Sequence, residues 1–506
     1  MPSEIHGIDP ANTAIEEPVI DCYIVVDAQL AGNLRARYLQ SDEDQAKAET
    51  YAFLQPLTPP FTLLGLPSRA SLLDSGIDAT IRDAVDELVV QIQILARYVP
   101  SFRLLPTQNS AEGTSNVFKG FGIEAAVAGG GYWLPMPEGG RGFGTRAEAE
   151  VLIGAASLRK HGLTGEGVNV VLFDSGLDPV ERQQLEIHTH MQHKGDEYRV
   201  YEREAPPAPR YDHGWYTARH VKALAPNAII HDYAILPPRL SHALIPSIMA
   251  NVHGLISDII VGYQLLRAQI ALARTHPKGP RVSEAPWVVI NAWALYRRPP
   301  TLRDDITDEE LGLPPNQRIR AIIDENPERM DLDDGHHYLN TLIETMAQTL
   351  NVDFVFAAGN CGFASPDPRC GINDRGPGRS IIGPAGHPDV MTVAACRDDM
   401  TWIGSSSQGP SIMNNVTGHN QKPDFAAPSC FFEDSDAARL FSGTSTACAI
   451  TGAAMAALRQ ANRTWPPYKL RDALIQTARQ VPSGPQQDTR FGAGILDLKA
   501  ALRVIL

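Results

Sequence analysis

The sequence predicts an α/β fold in which helices flank a parallel sheet, with a smaller α+β domain at the N-terminus. Two observations predict it. From about residue 150 onward, short runs that are apolar on both faces alternate with longer stretches of helical spacing. Before residue 150 the pattern is different and is repeatedly broken by proline and glycine. Strands buried on both faces read as continuous apolar runs, and their alternation with helices implies parallel pairing.

The strands come first. Residues 168–173 are apolar apart from Asn169 and end at Asp174; residues 287–291, 354–358 and 390–395 are three further runs of this kind. Helices are expected over 245–274, 338–350, 445–460 and 468–478. In such sheets functional groups gather just beyond the carboxyl ends of strands, where Asp174 and Asn360 both fall. In the N-terminal part, residues 18–26 have the β-branched and aromatic content of a strand. Residues 79–98 place Ile81, Ala84, Val85, Leu88, Val89, Ile92, Ile94 and Leu95 at the spacing of an amphipathic helix. Residues 55–60 and 129–144 are punctuated by Pro and Gly, and the latter stretch reads as a linker or strap. No Gly-Lys-Ser/Thr follows those glycines, so they are no phosphate loop. The expected division is an N-terminal α+β regulatory or docking domain at 1–125, a linker at 126–149 and the main domain at 150–506.

Composition narrows the function. The chain has 506 residues, 43% of them hydrophobic and 20% charged, with a formal net charge of -14. That profile suits a soluble globular protein and disfavours a nucleic-acid partner, whose phosphates an acidic surface repels. Residues 1–30 show no secretory pattern, and no run of 18 apolar residues suggests a membrane span, so a cytoplasmic location without membrane contact is expected. Six cysteines are too sparse for a disulfide scaffold. Cys361 and Cys370 flank a Pro- and Gly-containing loop and could pair, but reduced thiols are the expectation.

Four residues suggest chemistry. Ser445 lies in Phe-Ser-Gly-Thr-Ser-Thr-Ala before a small-residue helix; it could be a plain N-cap or a nucleophile beside helix amides. Asp174, in Leu-Phe-Asp-Ser-Gly, is either an Asx turn or a placed carboxylate. His213, in Asp-His-Gly, is one of 15 histidines. Asn360 ends Phe-Val-Phe-Ala-Ala-Gly-Asn, either as a turn residue or as an amide donor to a developing oxyanion.

These segments, in the order Asp, His, Asn, Ser, resemble the subtilisin-like serine proteases. Val170-Val171-Leu172-Phe173-Asp174-Ser175-Gly176 is similar to the family's aspartate segment. His213-Gly214 with Ala225-Pro226-Asn227-Ala228 is similar to its histidine segment, and Ser442 to Ala447 matches Ser-Gly-Thr-Ser-x-Ala. Further likenesses run from Gly383-Pro384-Ala385 through Lys422-Pro423-Asp424 to Gly492-Ala493-Gly494, covering about residues 150–506. The resemblance implies a serine endopeptidase with an Asp174, His213 and Ser445 triad and Asn360 as oxyanion donor. It implies that Asn291, Ala292, Trp293, Ala294, Ala358 and Gly359 flank a protein or peptide substrate, and it implies no cofactor. A related acid-protease family has Glu for the histidine and Asp for the asparagine, which His213 and Asn360 oppose. A catalytically silent binding or scaffold protein on the same fold is the alternative.

The chain also departs from the pattern. Trp293 and Leu295 replace small residues of the substrate strand, and Trp293 is expected to reshape the pocket rather than pack in the core. An insert runs from about 297 to 335. Ala449 stands where proline is common. The stretch from His213 to Ala225 lacks a calcium-binding insertion. Acidic clusters at 304–310 and 331–334 could bind calcium without indicating it, and His188, His190 and His193 lack the ligand spacing of a metal site.

Overall fold

The structure is a computed structural model. It describes residues 144–177, 187–191, 213–235, 251–254, 256–275, 285–295, 332–481 and 489–506, apart from 365, 368–369, 371–373, 418–420 and 434–435, together with isolated short segments. In chain order the N-terminal strands are β1 (Val19–Val26), β2 (Phe61–Gly65), β3 (Leu88–Leu95), β4 (Phe118–Gly120) and β5 (Gly144–Thr145). Then come α1 (Arg146–Ile153), β6 (Asn169–Asp174), β7 (His188–Met191), α2 (His213–Leu224), β8 (Ile229–Ala234), β9 (Pro238–Arg239), β10 (Asn251–Gly254) and α3 (Ile256–Thr275). The rest comprises β11 (Trp287–Asn291), β12 (Ala294–Leu295), α4 (Tyr338–Thr349), β13 (Val352–Ala357), β14 (Met391–Cys396), β15 (Phe425–Pro428), β16 (Phe431–Glu433), β17 (Asp436–Phe441), α5 (Gly443–Ala461), α6 (Pro467–Gln476) and α7 (Leu498–Ile505).

Seven strands form the main sheet in the order β15-β14-β13-β11-β6-β8-β7, and every neighbouring pair is parallel. All six residues of β6, β13 and β14 are buried, as expected of strands covered on both faces. From β6 the chain builds outward to β8 and β7 on one side and, through β11, to β13, β14 and β15 on the other. The order therefore reverses between β6 and β11, and open parallel sheets place their sites at that switch point. One face is closed by α5, which packs against α2, β11, β13 and β14. Every residue of α5 from Thr444 to Arg459 is buried. Its small side chains allow close approach: a Cβ at Gly452 would lie 2.4 Å from Ile290 Cγ1.

The four expected strands of the main domain are present. β8 was not foreseen, because His231 and Asp232 interrupt its apolar run. The expected helix over 245–274 begins only at Ile256, since Asn251–Gly254 is extended. The helix expected over 79–98 is a correction: Leu88–Leu95 is a strand, paired antiparallel with both β1 and β2. In Val90-Gln91-Ile92-Gln93-Ile94 apolar and polar residues alternate with period two and the apolar ones are β-branched, which favours the pleat over the helix. Residues 79–87 and most of the 297–335 insert lie outside the described residues.

Residues 144–153 are joined to the main body. β5 pairs in parallel with β16, and Thr145 and Glu148 form a capping box at the start of α1. Arg146 Nε lies 2.7 Å from Glu433 Oε1, and its guanidinium sits 5.0 Å above the Phe441 ring. Its Nη1 is 3.2 Å from His220 Nδ1. Burial, with Arg146 and Arg219 nearby, holds the His220 pKa well below the ordinary imidazole range.

Candidate active site

Asp174 closes β6 with its carboxylate 1% exposed. The Ser175 amide donates to Oδ1 at 2.6 Å, and the Thr217 hydroxyl donates to Oδ2 at 2.8 Å. His213 opens α2, and its Nδ1 lies 2.6 Å from the same Oδ1. A second link reinforces the pair, for Gly214 N–H donates to Ser175 Oγ at 2.9 Å. The end of β6 and the start of α2 are thus tied twice, so the imidazole plane follows from backbone placement. With Nδ1–H given to the carboxylate, Nε2 is the nitrogen able to accept a proton.

Asn360 follows β13 across Ala358 and Gly359. Gly359 has φ +101°, in the left-handed region that a side chain would strain. The Thr444 amide and hydroxyl donate to Asn360 Oδ1 at 2.9 and 3.1 Å, while Gly359 N–H donates to the same hydroxyl at 3.1 Å. These contacts take up the acceptor end of the Asn360 amide and leave Nδ2 as its outward donor.

Ser445 sits in the first turn of α5. The N-cap is Ser442, without a side-chain cap bond, so capping does not explain Ser445. Its hydroxyl donates to the Ala292 carbonyl at 2.7 Å, and the residue is 5% exposed. First-turn amides have no acceptor within their own helix and can receive an anion. Gly443, at φ +73°, makes the turn that brings this helix end to Asn360; a Cβ there would stand 3.3 Å from Asn360 Nδ2.

The remaining expected site residues divide. Ala292 meets Ser445 through its carbonyl, and Ala294 clusters with Cys361 and Cys370. Ala358 N–H donates to Val393 O at 3.0 Å. The Asn291 side chain points into the core, where its Oδ1 accepts the Tyr263 hydroxyl at 2.6 Å. Trp293 is a correction: it is 1% exposed and meets Phe356 edge-on, with ring centroids 5.3 Å apart. It fills the core cluster with Val289 and Ile381 instead of reshaping a pocket. Burying so large an aromatic surface outweighs leaving it at a rim.

Cys361 and Cys370 are a further correction, since they form a disulfide with Cα atoms 5.7 Å apart. Asp367 N–H donates to Asn360 O and Cys370 N–H to Asp367 O, both at 2.9 Å, and this fold of the loop brings the sulfurs together. Cys448 stays a buried thiol whose pKa burial pushes well above the ordinary value. Among the described residues no group of three or more His, Cys, Asp or Glu could hold a metal. Asp333 Oδ1 accepts Gly383 N–H at 2.7 Å, and Asp334 accepts His336 N–H and Asn415 Nδ2, so these carboxylates have protein donors. Thr217 and Thr444 were not foreseen as site residues. The signal was present in both cases: one stands a helical turn after His213, the other inside the Ser-Gly-Thr-Ser motif.

Residues 165–494 match the model of the Subtilase family. Solved structures with similarity include MycP1 from the ESX-1 type VII secretion system, 18% identical, with 72% of this chain and 86% of that chain covered and a TM-score of 0.42. MycP1 from Mycobacterium smegmatis is 17% identical, with 70% and 84% covered and a TM-score of 0.41. The subtilase cytotoxin SubAB is 15% identical, with 71% and 96% covered and a TM-score of 0.41. No curated protein matches the sequence. Because the family match spans well over half of a chain whose parallel sheet brings these segments together, the protein belongs to the subtilase family.

Proposed function

We propose that the chain is a serine endopeptidase restrained by its own N-terminal region. The observation that carries the reading is the 2.6 Å contact between His213 Nδ1 and Asp174 Oδ1, which presents Nε2 as a base. Ser445 Oγ would attack a peptide carbonyl while its proton passes to His213 Nε2. The oxyanion would be held by the Ser445 amide and Asn360 Nδ2. Collapse breaks the C–N bond, and the imidazolium returns its proton to the leaving amine. Water, activated by the same imidazole, then hydrolyses the acyl-enzyme. Metal and cofactor have no part in this scheme.

Replacing Asn360 by Leu removes one oxyanion donor. The expected result is a fall in kcat of about 10²–10³-fold with KM little changed, the range measured for the oxyanion asparagine of a subtilisin. Steady-state kinetics on a fluorogenic peptide check it.

The restraint is supported by β4. Phe118–Gly120 lies between β10 and β12, antiparallel to both, with Lys119 opposite His253 and Ala294. An extended peptide would add as a strand at this same edge, next to Ala292 and Ser445. Occupation by the chain's own segment would exclude it. The region 1–125 is also the surface proposed to dock a protein partner. The Cys361–Cys370 bond supports an oxidising compartment over the cytoplasm expected from the sequence.

Fluorophosphonate labelling and peptide hydrolysis test both parts. Labelling should vanish in Ser445→Ala. Lys119→Pro, which removes a strand N–H, should raise peptide turnover severalfold. Absence of Ser445-dependent labelling in both the full chain and Lys119→Pro would sink the enzyme reading. Unchanged turnover in Lys119→Pro would sink the restraint alone.

A further inference from the structure

His213 and Thr217 stand one turn apart on α2, so their side chains share a face of the helix. That face meets the end of β6, and the two residues address different oxygens of one carboxylate. Oδ1 takes the Ser175 amide and faces His213 Nδ1, each at 2.6 Å, whereas Oδ2 takes the Thr217 hydroxyl at 2.8 Å. Among the described residues, no other donor reaches Oδ2. Asp174, His213 and Thr217 are all 1–2% exposed, so bulk water does not stand in.

A threonine inside a helix ordinarily turns its hydroxyl to the carbonyl four residues back. Thr217 has that choice, for His213 O lies 3.3 Å from Oγ1. The Asp174 oxygen is closer and carries charge, so the proton goes there. Thr217 Oγ1 therefore spans α2 and β6 rather than closing a bond within its own helix.

The geometry points to Thr217 as a positioning residue of the reaction proposed above: with His213 it grips both oxygens of Asp174, and so sets the carboxylate plane that aims the imidazole. The assignment rests on the serine-endopeptidase reading, but its physical basis, a hydroxyl dispersing charge on Oδ2, does not depend on turnover. Without that hydroxyl, more of the carboxylate charge falls on the imidazolium, which then persists to higher pH. The acid limb of the pH profile should move upward. Of the titratable groups around this strand end, Cys448 does not compete, since burial keeps its thiol neutral, and Asp232 on β8 accepts the Leu177 N–H at Oδ2, 3.2 Å away.

Thr217→Val keeps the shape and removes the hydroxyl; Thr217→Ser keeps the hydroxyl and removes the methyl. Thr217→Val should lower kcat on the order of tenfold, leave KM within about twofold, and raise the acid-limb midpoint by about half a unit. Thr217→Ser should restore both. In a Ser445→Ala background the downfield His213 Nδ1–H resonance should show the same upward shift with Thr217→Val. A wild-type kcat and an unmoved resonance in Thr217→Val would overturn the proposal, as would a folded Thr217→Ser that behaves like the valine variant. Lack of turnover in both the unaltered chain and Lys119→Pro would sink the protease reading and still leave the resonance to decide on Thr217.

Discussion

Asp174→Asn is expected to lower kcat by about 10⁴-fold while the protein stays folded and KM changes little, the order seen when a triad aspartate elsewhere becomes its amide. The hydrogen-bond geometry indicates what is lost. Oδ1 receives the Ser175 amide and faces His213 Nδ1, both donors. The asparagine oxygen should therefore take that position and its NH₂ the Oδ2 position. The Thr217 hydroxyl would turn to the His213 carbonyl at 3.3 Å and accept from that NH₂. The oxygen keeps both of its donors and the Thr217 hydroxyl keeps a partner, so the fold survives. What disappears is the negative charge that, in the proposed reaction, would stabilise the imidazolium as Ser445 attacks. Circular dichroism should match the unaltered chain, and peptide hydrolysis should show the loss.

Arg459→Met is expected to be the most costly single change to stability, about 3–5 kcal/mol, because it strands a buried carboxylate. The Arg459 guanidinium meets both oxygens of Asp353, with Nη2 to Oδ1 at 2.6 Å, and both side chains are 1% exposed. Burial raises the Asp353 pKa even with Arg459 opposite, so desolvation outweighs the attraction of the pair. It follows that Asp353→Leu together with Arg459→Met should recover much of the loss. Recovery will be incomplete, because Nη1 also donates to the carbonyls of Asn462 and Trp465, which would lose those bonds. Denaturant unfolding of the two single variants and the double variant measures the coupling.

Much of this architecture was legible in the chain. The β6, β11, β13 and β14 runs were readable because strands covered on both faces tolerate few polar residues. The turns that place the four candidate residues were readable because tight turns at strand and helix ends restrict what may stand there; Gly359 and Gly443 sit at positive φ near Asn360 and Ser445. Illegible features were of two kinds. Strands interrupted by polar residues were one: His231 and Asp232 hid β8, and Gln91 and Gln93 made β3 resemble a helix. Side-chain direction was the other: Trp293 and Asn291 occupy the expected strand but face the core, and sequence position does not say to which side a residue turns near a strand end. The Cys361–Cys370 pairing depended on backbone bonds inside a loop, which composition does not reveal.

The parallel sheet also has a consequence for timing. The contacts that assemble the site join residues far apart in the chain: Asp174 to His213 across 39 positions, Asn360 to Thr444 across 84 and Ala292 to Ser445 across 153. Such pairings must wait for loop closure, and topologies rich in them fold slowly. Ser445 is carried on α5, which can dock only after β11, β13 and β14 lie side by side. During synthesis Ser445 therefore comes late, since it lies near the C-terminal end of the chain and its contact with Ala292 must close across 153 positions. On the serine-endopeptidase reading proposed above, a chain built this way would be inert toward itself and its neighbours until nearly all of it is in place, and the winding of the sheet would act as a clock on when cutting can begin.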